Sequence, residues 1–141
     1  MTTRSVNIFY HPKLNYTDDT VQNSYSESPQ KPAKYIDYLK RHDLLHYVNI
    51  IDHFLPFDKV KFYIAHHQKW VDDFFVGTGK LQRKNLLGIS WSPNYAKSVT
   101  YTNACLYHAI KQSITTPPLP PVCNWWENQH VARSEKVGFW V

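Results

Sequence analysis

Apolar residues recur along this chain in two spacings, the short dense runs of β-strands and the wider spacing of amphipathic helices. The segments SVNIFY (5–10) and HYVNII (46–51) are rich in β-branched and aromatic residues, which predicts two strands. Between them, Pro32 opens the segment PAKYIDYLKRHDLL (32–45), whose apolar residues fall near one face of a helix. A strand, a helix and a second strand in this order predict an α/β unit.

The middle of the chain predicts two short helices. Asp58 is placed to cap a helical piece over 59–64, and a second piece over 66–75 ends before Gly77. Residues 11–32 are polar and contain several prolines, so a long loop is expected there.

The longest helix is predicted after the Ser92–Pro93 step, because proline is favoured in a first helical turn. The residues that recur at helical spacing are Tyr95, Val99, Thr102, Leu106, either Ala109 or Ile110, and Ser113. The proline-rich segment TTPPLPP (115–121) ends this helix and forms an extended connector.

Composition favours one compact domain over residues 1–141. The chain is 43% hydrophobic and 16% aromatic, which supplies enough large side chains for a single core. A ligand-stacking role is conceivable for Tyr25, Tyr35, Tyr38, Tyr47 and the tryptophans. Most of this group sit at core spacing, so burial is predicted for most of them.

The charge of the chain is mildly basic, with a formal net charge of +5 and a sequence pI of about 9.2. The basic residues are scattered as short pairs and triplets without interleaved aromatic residues, so nucleic-acid binding is disfavoured. No apolar run approaches the roughly 20 residues that span a bilayer, and no membrane partner is expected. Cys105 and Cys123 are too few for a disulfide framework, which fits a cytoplasmic protein.

Two groups of residues could carry chemistry. The pair His66–His67, with Asp72–Asp73 nearby, does not predict a metal site, because adjacent residues on a helix diverge and no further ligand cluster is visible. His130 differs, since it lies in a polar stretch between candidate strands at 122–126 and 138–141. Histidine in such a loop favours a position in a functional pocket.

Several stretches of this chain, in order, resemble the amino-terminal half of the histone deacetylase and acetylpolyamine amidohydrolase superfamily. The segment SPQKPAK (28–34) stands where that family has His-Pro-x-x-Pro-x-Arg, with Ser28 for the histidine and Lys34 for the arginine. The segment HHQKWV (66–71) resembles the family's His-Ser-x-x-Tyr-Val, and the Ser-Pro step at 92–93 precedes a long helix as in the family.

The most specific match combines two short motifs near the end of the chain. The family has His-His-Ala followed by Gly-Phe-Cys, with eight positions from the second histidine to the glycine. The segments QHV (129–131) and GFW (138–140) reproduce that spacing. His130 thus falls on the second histidine and Gln129 on the first.

The resemblance implies an arginase/deacetylase-type fold, with flanking helices around a parallel sheet, and zinc-dependent hydrolysis of acetyl-lysine or acetylpolyamine amides. His130 would act as general base or acid, and Gln129 could hydrogen-bond the attacking water without exchanging a proton near neutral pH. Gly138 and Phe139 would line the substrate tunnel. Lys34 would keep the positive charge of the family's pocket-floor arginine without its planar fork.

The family's zinc ligands and catalytic tyrosine follow the Gly-Phe-Cys motif, beyond Val141 in this numbering. We therefore expect an incomplete domain, with no cofactor held by this chain and no activity alone. Zinc would require a complementary polypeptide, and a second copy or that polypeptide would cover an open sheet edge. The alternative is a non-catalytic interaction or regulatory protein that uses a deacetylase-like scaffold.

Overall fold

The centre of the fold is a pair of parallel strands, β1 (Val6–Phe9) and β2 (Val48–Ile51). Their register runs from Val6 opposite Val48 to Phe9 opposite Ile51, with α1 (Lys31–Arg41) between them in sequence. The predicted α/β unit is confirmed, and the two strands are parallel. The computed structural model describes residues 5–15, 28–78 and 91–115.

Helices cover both faces of this sheet. Successive strand residues point to opposite faces, so Ile8 and Ile50 pack towards α1 while Phe9 and Ile51 pack towards α3 (Pro93–Thr115). The buried helix residues are Ile36 and Leu39 on one side and Tyr101, Cys105 and Ala109 on the other. Each large apolar side chain buried in this way contributes roughly 1.5–3 kcal/mol. The result is three layers, α1, the sheet and α3.

A buried thiol joins β1 to α3. Cys105 is 1% exposed, and its Sγ donates a hydrogen bond to the carbonyl oxygen of Phe9 at 2.8 Å. The last residue of the strand is thereby held against the middle of the helix.

Helix α1 ends at Arg41, before the predicted boundary, because Asp43 adopts the left-handed region at φ 54°. The Asp43 N–H donates to the Lys40 carbonyl, and the Leu44 N–H donates to the Leu39 carbonyl at 2.9 Å. Leu44 also packs on the cluster that contains Leu39. These contacts form a Schellman ending, in which an aspartate occupies the position that glycine usually takes.

The segment that was predicted to begin β2 starts with a turn instead. A 3₁₀ helix spans Leu45–Tyr47, so the strand begins at Val48 rather than at 46. Tyr38 and Tyr47 are 47% and 48% exposed, so they are exceptions to the burial that was predicted for most of the tyrosines. Each ring instead contacts a neighbouring imidazole, that of His42 and that of His46 respectively.

Two short helices follow β2, as predicted. The first is a 3₁₀ helix, Lys59–Ile64, and the carboxylate of Asp58 accepts a hydrogen bond from the Val60 N–H at 3.3 Å, which confirms the predicted cap. The second is α2 (Gln68–Val76), shifted slightly from the predicted 66–75. Asp72 of α2 accepts hydrogen bonds from Lys59 and Tyr63, which ties the two helices together.

Helix α2 ends at Gly77, where φ is 79° and the Thr78 N–H donates to the Asp73 carbonyl. The ring of Trp91 lies so close to Gly77 that an added Cβ would sit 2.6 Å from it. The Trp91 Nε1 also donates to the Phe74 carbonyl at 2.8 Å. Both the backbone angle and the indole therefore require glycine at this position.

Helix α3 begins as predicted, with Pro93 in the first turn and the Ser92 hydroxyl accepting from the Tyr95 N–H at 3.0 Å. Of the two alternatives for its core position, Ala109 is 3% exposed and Ile110 is 49% exposed, so Ala109 occupies the core. No helix in the part of the chain that the structure describes is long and apolar enough to cross a membrane. The candidate strands at 122–126 and 138–141 lie outside the described residues.

Candidate functional site

The carboxyl ends of β1 and β2 meet at one edge of the sheet because the strands are parallel. His11 comes shortly after β1, and Phe54 follows β2. Their ring centroids lie 6.1 Å apart in an edge-on contact. This edge is where open α/β sheets bind ligands, so the side chains that meet there form the candidate site.

His11 is fixed by the aromatic ring of Tyr101 from α3, with the ring centroids 4.3 Å apart. Its Nδ1 accepts a hydrogen bond from the backbone N–H of Lys13 at 3.1 Å, so the neutral ring carries its proton on Nε2. Burial lowers the pKa of His11, the charge of Lys13 lowers it further, and Asp52 partly offsets both. The site therefore holds a neutral imidazole at neutral pH.

A second imidazole enters the same cluster from α3. The His108 ring is 5.5 Å from that of Phe54 and stacks at 6.1 Å on that of Phe9. Burial lowers the pKa of His108, and the charges of Lys111 and Lys61 lower it further. Phe54 thus contacts both imidazoles, and we call His11, Phe54, Tyr101 and His108 the imidazole cluster.

Lys13 adds a positive charge to the imidazole cluster. Its ammonium group donates to the Tyr101 hydroxyl at 3.3 Å and lies 5.4 Å from the centre of the same ring. Asp52 is the residue directly after β2, and its carboxylate lies 3.9 Å from Nδ1 of His53. In the tautomer that the Lys13 N–H selects, His11 can donate a hydrogen bond from Nε2, and His108 offers a second imidazole, in surroundings that are mainly aromatic and cationic.

The loop after β1 is anchored to α1 through Asn15. Its Nδ2 donates to the Tyr10 hydroxyl at 2.9 Å and to the Pro12 carbonyl, while its Oδ1 accepts the Ala33 N–H at 3.0 Å. This side chain satisfies an N–H in the first turn of α1, where no backbone partner exists. It therefore sets the course of the backbone that carries His11.

Of the five site residues that the sequence predicts, Lys34 alone belongs to the described ranges. His130, Gln129, Gly138 and Phe139 lie outside the described residues. Lys34 lies on the exposed side of α1. Within the described ranges, no group of three or more His, Cys, Asp or Glu side chains could hold a metal ion.

Sequence reasoning missed His11, Phe54 and His108 as site residues. A signal existed for the first two, since each follows a predicted strand, and polar or aromatic residues just beyond a parallel strand are candidates for ligand contact. His108 gave no such signal, because its position at the site depends on how α3 packs against the sheet.

A shallow pocket elsewhere in the molecule has a structural role. Its cavity volume is about 10 Å³, far below the roughly 300–1,000 Å³ of small-molecule sites. Its lining residues are Phe62, His66, Trp70, Val71, Phe74, Phe75 and Val99. Most of these side chains are apolar, and they pack the 3₁₀ helix Lys59–Ile64, α2 and α3 against one another.

The described residues define a mixed α/β protein with a small parallel sheet covered by helices on both faces. Comparison of the chain with protein-family models, with curated proteins and with solved structures gives no match.

Proposed function

We propose that this chain provides the amino-terminal α/β scaffold of a deacetylase-like amidohydrolase. The observation that carries the proposal is the parallel pair β1 and β2, joined through α1 and covered by α3, with side chains gathered at its carboxyl edge. Elements follow in the order that the resemblance implies, and α2 begins within the segment 66–71 that resembles a family motif.

In this proposal the reaction is hydrolysis of an acetyl-lysine or acetylpolyamine amide. His130 takes the proton of the attacking water or returns it to the leaving amine, and Gln129 hydrogen-bonds the same water. Gly138 and Phe139 border the acyl chain, and Lys34 contributes positive charge.

Zinc is the metal that such chemistry uses, since it lowers the pKa of a bound water to about 7. The residues that the structure describes do not by themselves fit a zinc centre, because they contain no cluster of three ligands. The ligands would come from outside the described ranges or from a complementary polypeptide.

The test is hydrolysis of an acetylated lysine peptide and of an acetylated polyamine in the presence of zinc, with and without candidate polypeptides that supply ligands. The variant His130→Ala should lower kcat/KM by about 100-fold or more, the effect of losing a general base. His46→Ala, which removes an exposed histidine from the turn before β2, is the matched control and should keep full activity. Absence of both zinc binding and hydrolysis in every combination would overturn the proposal.

A second candidate function, a non-catalytic interaction protein on the same scaffold, is favoured by the sheet itself. Among the described residues, β1 and β2 pair only with each other, so each strand has one side without a strand partner. Such edges pair readily with another chain. The mass of the purified chain by light scattering tests this second function: a stable monomer argues against a scaffold that requires a partner or a second copy.

A further inference from the structure

Helix α3 carries an apolar stripe on the side that faces away from the sheet. Tyr107, Ile110 and Ile114 recur at the spacing of one helical face and are 45%, 49% and 75% exposed. The side that packs on the sheet is formed by Tyr101, Cys105 and Ala109. The helix therefore has apolar residues on two opposite sides, and within the described ranges only the side towards the sheet is covered.

Two lysines border this stripe. Lys111 lies one turn from Tyr107 on α3, and the Lys61 ammonium group lies 4.6 Å from the ring centre of Phe57 and 5.9 Å from that of Tyr107. No carboxylate in the described ranges forms an ion pair with either lysine. Other lysines do have such partners, for example Lys59 with Asp72 at 2.7 Å.

The 3₁₀ helix Lys59–Ile64 extends the same surface. Side chains three residues apart in a 3₁₀ helix eclipse each other, so Ile64 projects on the same side as Lys61. Ile64 is 90% exposed. We call the resulting surface the cationic apolar face, and it consists of Lys61, Ile64, Tyr107, Ile110, Lys111 and Ile114.

The composition of this face decides which partner fits it. A second copy of the chain is disfavoured, because the net charge of +5 opposes contact at a positive surface. Nucleic acid is disfavoured, since the isoleucines that make up half of this face offer no stacking surface for bases. An anionic membrane is disfavoured because basic clusters that recognise it have about 4–8 Lys or Arg, whereas this face has two lysines.

We propose that the cationic apolar face binds an amphipathic acidic peptide segment of another protein. Apolar side chains of the peptide would pack on Tyr107, Ile110 and Ile114, and its flanking carboxylates would pair with Lys61 and Lys111. Burial lowers the pKa of the neighbouring His108, and the charges of Lys111 and Lys61 lower it further. This binding does not depend on amide hydrolysis by the same chain.

The test is fluorescence anisotropy with the full chain and a labelled helical peptide that carries leucines on one face and glutamates on its flanks. Ile110→Ser with Ile114→Ser should weaken binding by about tenfold, since both residues would lie in the contact. Lys111→Glu should weaken it by about threefold or more and reduce its salt dependence. Lys97→Glu makes the same charge change at an exposed position near the other end of α3, and it should leave the affinity unchanged.

Comparison probes make the result decisive. A peptide of the same composition with its leucines scattered, a single-stranded oligonucleotide and phosphatidylserine vesicles should each bind more weakly than the amphipathic peptide. The proposal is overturned if the peptide does not bind, if Lys97→Glu weakens binding as much as Lys111→Glu, or if the oligonucleotide or the vesicles bind as tightly. Circular dichroism confirms that each variant is folded.

Discussion

At the scale of single residues, Asp43 and Gly77 end two helices with the same left-handed backbone but different side chains. A residue with a side chain is strained in the left-handed region by about 1–2 kcal/mol relative to glycine. Local hydrogen bonds of the side chain reduce this strain for Asp and Asn. The same pattern of backbone hydrogen bonds surrounds Asp43 and Gly77. The two helix ends therefore differ in the residue that occupies the left-handed position and in the side chains around it.

Asp43→Gly should raise the free energy of unfolding by about 1 kcal/mol, because glycine adopts positive φ without strain. Asp43→Ala should give no gain, since its Cβ meets the same steric conflict. Urea unfolding followed by circular dichroism measures both. Equal stabilisation by glycine and alanine would show that the backbone angle is not the cause.

Gly77→Ala should lower the free energy of unfolding by about 2 kcal/mol or more, because the methyl group adds backbone strain and meets the Trp91 ring. The neighbouring exposed change Thr78→Ala serves as the matched control and should have little effect. Trp91 fluorescence should respond to the first change and not to the second. An unchanged midpoint for Gly77→Ala would contradict the close contact of the indole.

At the scale of elements, Asn15 links the loop after β1 to the first turn of α1. Asn15→Ala should lower the free energy of unfolding by about 1–2 kcal/mol, because the Ala33 N–H loses its acceptor. Asn15→Asp keeps that acceptor, and the Tyr10 hydroxyl can then donate to the carboxylate, so this variant should remain close to the parent. Asn49→Ala, at an exposed pair with Asn7 across the strands, is the control for loss of a surface amide.

The order and type of most described elements could be predicted from the sequence, because apolar spacing differs between strands and helices. Helix ends were less predictable. The pattern of 32–45 continues through Leu44, yet α1 stops at Arg41 because Asp43 leaves the helical region, and aspartate is a weaker signal for this than glycine. The exposed rings of Tyr38 and Tyr47 show that an aromatic residue beside a core position is not necessarily buried.

At the scale of the whole molecule, the imidazole cluster makes stability depend on pH. Burial lowers the pKa of His11, the charge of Lys13 lowers it further, and Asp52 partly opposes this shift. Burial also lowers the pKa of His108, and the charges of Lys111 and Lys61 lower it further. The unfolded chain therefore takes up protons at higher pH than the folded chain does. The stability that the two histidines contribute is present above their unfolded pKa of about 6.5. It is lost as the pH falls towards their pKa values in the folded chain.

The free energy of unfolding should accordingly fall between about pH 7 and about pH 5. The double variant His11→Asn with His108→Gln should flatten this slope, and the asparagine can still accept from the Lys13 N–H. Burial also lowers the pKa of His66, so part of the slope should persist in the double variant. His46→Gln is the control, and urea midpoints measured across the pH range provide the comparison. A parental slope in the double variant would contradict the role of the cluster.

The site as a whole was less predictable than the fold. Its members come from the ends of two strands and from the middle of α3, and only tertiary packing brings His108 to Phe54. The resemblance to deacetylases directed attention to His130, Gln129, Gly138 and Phe139, and that assignment stays a prediction. A linear motif identifies residue types and spacing, whereas a cluster built from three elements requires their packing.

The hydrogen bond from the Cys105 thiol to the Phe9 carbonyl makes the contact between α3 and the sheet measurable by chemistry. A thiol that is 1% exposed can be alkylated only when the helix separates from the strand. In a Cys123→Ser background, the ratio of the labelling rate in the folded chain to that in urea would give the equilibrium constant for this separation. One sulfur atom can thus report whether α3 moves away from the sheet as a unit or only when the whole domain unfolds.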